Sequence, residues 1–274
     1  MRINDLDLEN WKQYDDEIVT DSLWIIDKRD NSGAHAGNYH GNFVPQIPRQ
    51  LIQRYTQRGE IVLDPFLGSG TTLIEARRLE RKVIGIEINN EVLETYLSTA
   101  MGEPCVCRVH EGASSGVYPP CCTQALLGNS ANVDLGPYLA AFGAQSCQLV
   151  VMHPPYHDII RFSDIPGDIS TLESVEGFLQ AFGDVVENTC RYLDKGRYLA
   201  VVIGDKYAKS EWVPLGFQCM NEVLNRGFSL KSICVKNYGE TKGKQNQQGI
   251  WRYRALKGGF YVFKHEYILL FTKR

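Results

Sequence analysis

Two acids stand at the ends of short apolar runs with a glycine-rich turn between them. The first run is Glu60-Ile61-Val62-Leu63-Asp64-Pro65-Phe66-Leu67-Gly68-Ser69-Gly70-Thr71-Thr72, and the second is Lys82-Val83-Ile84-Gly85-Ile86-Glu87. A carboxylate at the tip of a second strand can accept both hydroxyls of a ribose. Glycines in the preceding turn let a ligand approach the backbone. Asp64 and Glu87 together therefore propose a nucleoside cofactor across the carboxyl ends of a parallel sheet. The turn is not a phosphate cradle, since no Lys follows Gly70, and the dinucleotide fingerprint fails because Leu73 stands where its third glycine belongs.

Two further groups of residues could do chemistry. Cys105, Cys107, His110, Cys121 and Cys122 could supply zinc ligands, but their spacing is not the usual Cys-x-x-Cys pairing, and reduced thiols with no bound metal are the expectation. Pro119-Pro120-Cys121 has the nucleophile spelling of cytosine-C5 methylation, yet no apolar strand leads into it. Between Lys236 and Lys264 there are seven basic residues and one acid, Glu240, interleaved with aromatics and amides. Cations suit phosphates, and aromatics and amides suit bases and groove edges. Lys242, Lys244, Trp251, Arg252 and Arg254 are the candidate nucleic-acid contacts.

The elements that must position these residues alternate along the chain. Thr72-Leu73-Ile74-Glu75 reads as a capping box opening a helix after the glycine turn. Arg49–Tyr55, Asn90–Ala100, the stretch around Leu139–Phe142, Ser174–Leu193 and Pro214–Arg226 read as further helices. Strands are expected between 125 and 147, at Gly196–Asp205, at Leu230–Val235 and at His265–Phe271, with Ser22–Ile26 a short strand or docking segment. The reading is one α/β domain over 1–274, doubly wound, with a mostly parallel seven-stranded Rossmann-like sheet and an antiparallel last hairpin. A Cys-rich insertion near 103–124 and the basic segment 236–264 interrupt it.

At 274 residues and a net charge of −3, the whole chain gives no hint of nucleic acid, so any basic surface is local. No apolar run long enough to span a membrane is present, and the start lacks the apolar core of a signal peptide. The expectation is a cytoplasmic protein with no membrane partner, its eight cysteines reduced, as monomer or homodimer.

The string Asp64–Thr72 closely resembles the S-adenosylmethionine motif of DNA methyltransferases that act on exocyclic amino groups. That resemblance implies a second signature, found at Leu149-Val150-Val151-Met152-His153-Pro154-Pro155-Tyr156, with His153 where the family has Asp, Asn or Ser. It implies a Rossmann-like fold and S-adenosylmethionine held by Phe43, Asp64, Pro65, Phe66, Gly68, Ser69, Gly70, Thr71, Thr72, Glu87 and Ile88. Ser130, Asn132 and Asp134 are alternatives near the adenine.

The implied activity is methylation of adenine N6 or cytosine N4 in double-stranded DNA, on a flipped base, within restriction–modification. The implied catalytic residues are His153, Pro154, Pro155 and Tyr156. The Pro154 carbonyl and the position-153 side chain would accept from the amino group, while Tyr156 offers a ring face to the base. A neutral imidazole accepts through one nitrogen only, so the rate is expected to fall as pH drops through the ordinary imidazole range near about 6.5. The family's usual motif order is reversed here, so base-recognition residues do not transfer by position. RNA or protein-glutamine methylation, and an inactive nucleic-acid-binding protein of the same fold, are the alternatives.

Overall fold

The computed structural model describes residues 2–15, 17–35, 38–101, 107–109, 122–238 and 248–274. In chain order the strands are β1 (Leu23–Trp24), β2 (Ile61–Asp64), β3 (Lys82–Glu87), β4 (Cys107–Val109), β5 (Thr123–Leu127), β6 (Cys147–Met152), β7 (Leu193–Ile203), β8 (Lys206–Ala208), β9 (Glu211–Val213), β10 (Phe228–Asn237) and β11 (His265–Lys273). The helices are α1 (Gln46–Tyr55), α2 (Thr71–Arg78), α3 (Asn90–Met101), α4 (Gly136–Ala141), α5 (Val175–Cys190), α6 (Leu215–Asn225) and α7 (Gln248–Gly258).

Among the described residues, nine strands form one sheet in the order β1-β10-β11-β7-β6-β2-β3-β5-β4. β11 runs antiparallel to both β10 and β7, and every other pairing in that sheet is parallel. The seven expected strands make its centre. Ser22–Ile26 supplies the edge strand β1 of two residues, and the expectation missed the other edge, β4 of three, which is too short to carry a periodic signal.

Parallel strands covered on both faces read as near-continuous apolar runs, and these do. Alternate side chains serve opposite cores. Leu63, Val150, Met152, Leu199 and Val201 pack on one face with Phe178 and Phe182 of α5. Val62, Leu149, Val151, Ala200 and Val202 pack on the other with Ile47, Leu51 and Leu73 from α1 and α2.

One local expectation is corrected. α2 begins with Gly70 at φ +84 and no side-chain cap, so Thr72 to Glu75 is not a capping box. Glu75 instead turns inward, accepting from Arg49 Nε at 2.7 Å and Arg78 Nη1 at 3.0 Å, with His35 Nε2 at 2.6 Å. A buried acid surrounded by three basic groups outweighs a bond to a helix-end amide. The link between β10 and β11 contains α7. Phe260 stacks on Tyr207 (4.3 Å) and Phe263 packs on Trp212 (4.2 Å), pinning the link to the β8–β9 hairpin.

No helix among the described residues is long and apolar enough to cross a membrane. Cys147, Cys190, Cys219 and Cys234 are buried free thiols, and Cys122 is an exposed one. Burial pushes the Cys190 thiol up to about 12. Cys105, His110 and Cys121 lie outside the described residues, as do Lys242 and Lys244.

Candidate active site

Strand order reverses between β2 and β6, and ligands of open α/β sheets bind outside the carboxyl ends at such a reversal. Asp64 ends β2, Glu87 ends β3, and His153 follows β6, so the register of three neighbouring strands gathers them along one edge.

The glycine loop is held from both sides. The amide of Leu67 donates to the Ile86 carbonyl at 3.0 Å, and the amide of Gly68 donates to Glu87 Oε2 at 2.9 Å. Gly68 has φ +53, and a Cβ there would lie 3.0 Å from the Tyr39 ring. Ser69 Oγ donates to Asn42 Oδ1 at 2.6 Å, tying the loop to the segment before α1. Thr71 and Thr72 are buried in the first turn of α2. Ser130 donates from its hydroxyl to the Pro65 carbonyl at 2.6 Å, which brings it to the loop. Asp134 faces away, accepting from the Gly136 amide and the Tyr192 hydroxyl, and Asn132 is exposed.

The electrostatics of this edge are acidic. Asp64 is 1% exposed, and burial pushes its carboxyl up to about 6 against the pull of the nearby Thr72 hydroxyl and the Phe66 amide. Burial likewise pushes Glu87 up to about 7, opposed by the Asn89 and Gly68 amides and reinforced by the Asp168 charge. Neither carboxylate forms an ion pair among the described residues. Each Glu87 oxygen accepts one amide, Gly68 or Asn89, at 2.9 Å, which leaves each a further acceptor site. A buried acid and a half-buried one, neither with a cation, suit a ligand that brings hydroxyl donors and positive charge.

The segment after the Pro-Pro motif folds back over this edge. Phe162 stacks on Tyr39 at 6.1 Å, and Gly167 lies against Asn129 and Ile88. Asp168 is fixed there by the Ser163 hydroxyl at 2.7 Å and the Ser170 amide at 2.8 Å.

The second motif sits on the other side of the reversal. His153 stacks on Phe43 at 4.7 Å and meets Tyr156 edge-on at 5.7 Å, with Nε2 3.2 Å from the Tyr156 hydroxyl. Phe43 thus reaches the site, but with a ring face on His153. Tyr156 donates to Glu266 Oε2 at 2.8 Å, and Lys236 pairs with Glu266 Oε1 at 3.1 Å, both charged side chains almost wholly buried. Gly204 makes room for this cluster, since a Cβ there would lie 2.8 Å from Tyr156 and 2.9 Å from the Tyr238 hydroxyl.

Burial moves the His153 imidazole down to about 4, helped by Lys236 and opposed by Glu266. Burial thus favours the neutral ring below the ordinary imidazole range.

Glu266, Lys236, Tyr238 and Asp168 were missed as site residues. A signal existed for two of them: Lys236 and Glu266 are charged residues inside otherwise apolar strands. Lys236 belongs to the basic segment in the sequence, yet it is committed to Glu266. Trp251, Arg252 and Arg254 stand on α7, the two arginines exposed and Arg254 5.2 Å from the Trp251 ring. The loop carrying α7 closes through the Tyr238 amide on the Lys264 carbonyl at 2.8 Å, so it rises from the same edge as Tyr156.

A family model described as DNA methylase matches residues 1–98 and 147–274. The chain belongs to this N6/N4 DNA methylase family. The unmatched stretch, 99–146, holds the Cys-rich insertion. The type II methyltransferase M2.LlaDCHI of Lactococcus lactis subsp. cremoris is 34% identical over 109 residues, 40% of this chain and 37% of that relative. M.HindIII of Haemophilus influenzae is 55% identical over 56 residues, 19% of this chain and 18% of that relative. Across eight such relatives the matched stretch spans only 10% to 37% of their length. TrmN from Thermus thermophilus has a TM-score of 0.51 at 16% identity, covering 85% of this chain and 49% of that one, which shows the shared fold.

S-adenosylmethionine is the cofactor of this family. The residues fit it: the Gly68 cradle, the spare acceptor sites of Glu87 and the unpaired charge of Asp64 match a ribose and a cationic group.

Proposed function

We propose that the chain methylates the exocyclic amino group of a DNA base, adenine N6 or cytosine N4, with the base swung out of its duplex. The observation that carries the reading is His153-Pro154-Pro155-Tyr156 ending the strand next to Asp64, with Phe43 and Glu266 fixing the His153 and Tyr156 rings. When bound, the cofactor supplies an electrophilic methyl group on a sulfonium. An exocyclic amino nitrogen is a weak nucleophile because its lone pair is delocalised into the ring. Acceptors for its two N–H groups draw that pair out, and the Pro154 carbonyl and His153 serve as those acceptors. Pro154 and Pro155 have no N–H to compete for the same lone pairs and they stiffen the loop. Tyr156 contributes an aromatic surface for the base. The amino group would shed a proton on methylation, and neutral His153 would take it up.

Exposed Arg252 and Arg254 on α7, rising from the catalytic edge, supply phosphate contacts, and Lys242 and Lys244 extend the same basic run in the sequence. The local charge supports DNA over a protein substrate. The test is transfer of tritium from S-[methyl-³H]adenosylmethionine to DNA, RNA and protein, followed by nucleoside mass spectrometry. Label in DNA as N6-methyladenine or N4-methylcytosine is expected. His153→Ala should lose most of the single-turnover rate while keeping cofactor affinity. Label confined to RNA or protein, or none with the cofactor bound, overturns the reading.

A further inference from the structure

We infer that Glu266, clamped by Lys236, sets the tautomer of His153 through Tyr156, so that the imidazole turns a bare Nδ1 towards the substrate. The inference rests on the reading of His153 as the acceptor for the amino group, and it names Glu266 and Lys236 as positioning residues for that step.

The proton count decides the direction. Tyr156 has a single hydroxyl proton, and its oxygen lies 2.8 Å from Glu266 Oε2 and 3.2 Å from His153 Nε2. A carboxylate can only accept, and its charge-assisted bond is the stronger of the two, so the tyrosine proton points to Glu266. The tyrosine oxygen then has lone pairs to offer His153, and Nε2 must carry a hydrogen. In a neutral ring that leaves the lone pair on Nδ1. Nδ1 has no hydrogen-bond partner among the described residues and is not sealed from solvent.

Every titratable group around this chain of bonds agrees. Lys236 from β10, 3.1 Å from Glu266 Oε1, compensates the carboxylate charge and lies near enough to disfavour a second cation on His153. Tyr238 lies beside Tyr156 and Glu266, and its hydroxyl can donate to Glu266 or accept from Tyr156, either of which keeps the Tyr156 proton off His153. Phe43, on the imidazole face, carries no titratable group. The opposite tautomer would set the tyrosine oxygen and the carboxylate lone pair to lone pair, both buried, which is the costlier arrangement.

Glu266→Gln tests the device. The carbonyl oxygen of the amide stays with Lys236, its NH₂ faces Tyr156, and the tyrosine proton turns to His153, giving an Nδ1–H ring. The readout is ¹⁵N NMR of the full chain labelled at histidine, with His153→Gln assigning the resonance. Wild type is expected as Nε2–H. E266Q is expected to move towards Nδ1–H and lose about tenfold or more in single-turnover rate, with unchanged affinity for S-adenosylmethionine. Tyr156→Phe, which removes the linking oxygen, should leave the two tautomers mixed. An Nδ1–H ring in wild type, or an E266Q protein with wild-type tautomer and rate, overturns the inference. Failure of the acceptor reading is a separate result, a His153→Ala enzyme at wild-type rate, because the tautomer is read in the free protein.

Discussion

Replacing Glu87 by alanine tests the cofactor edge most directly. Both of its oxygens already accept an amide at 2.9 Å, and each retains one acceptor site for a ribose hydroxyl. Hydrogen bonds to a charged group contribute about 1.5–3 kcal/mol each, less where the acceptor is already shared. Burial holds this carboxyl at about 7, so near neutral pH only about half of it is ionised. The net loss of affinity for S-adenosylmethionine is therefore about 1–3 kcal/mol, or roughly 5- to 150-fold in Kd. A pH signature accompanies it. Hydroxyl donors and a cationic ligand favour the carboxylate, so binding lowers its pKa. Wild-type affinity should then be highest above pH 7 and weaken by up to about tenfold per unit below it. Glu87→Ala should lose the part of that slope due to this group. The folding sign is opposite: the folded state holds this proton more tightly than the unfolded chain, so ionising Glu87 costs stability as pH rises from its ordinary range to about 7. Calorimetric titration from about pH 6 to 8 reads affinity and slope together. Equal affinity for wild type and E87A across that range would refute the assignment of Glu87.

Other expectations are simpler. Asp64→Ala and Gly68→Asp should each abolish cofactor binding in calorimetry, the second because any side chain at φ +53 meets Tyr39. Arg252→Ala with Arg254→Ala should weaken DNA binding on all sequences and reduce the salt slope by about one for each phosphate no longer neutralised, measured by fluorescence anisotropy. Glu75→Ala should destabilise folding by roughly 3–5 kcal/mol in urea, since it leaves His35, Arg49 and Arg78 around an empty site. Burial alone would raise the Glu75 carboxyl, but His35 and Arg49 outweigh it and hold it below its ordinary value. Its contribution is accordingly present at neutral pH and lost as pH falls through that lowered value.

The sequence by itself determined the seven central strands, the order in which they come along the chain and the two motifs, because each is local. An apolar run ending in an acid, a glycine turn and a proline pair are legible one residue after another. The helix from Ser174 was readable for the same reason, and Ser174 does cap it, accepting from the Gly177 amide at 3.0 Å. What only the tertiary structure decided is which side chains share an environment. Glu75 carried a local capping signal that three distant basic groups overrode. Lys236 read as one more cation of the basic segment until the antiparallel pairing of β10 with β11 set it opposite Glu266. His153 had an ordinary imidazole's chemistry on paper. Phe43 from before α1 and Glu266 from the far end of the chain gave it a neutral, oriented ring. Burial and the direction of a hydrogen bond depend on neighbours far away in the sequence, and no local pattern encodes them.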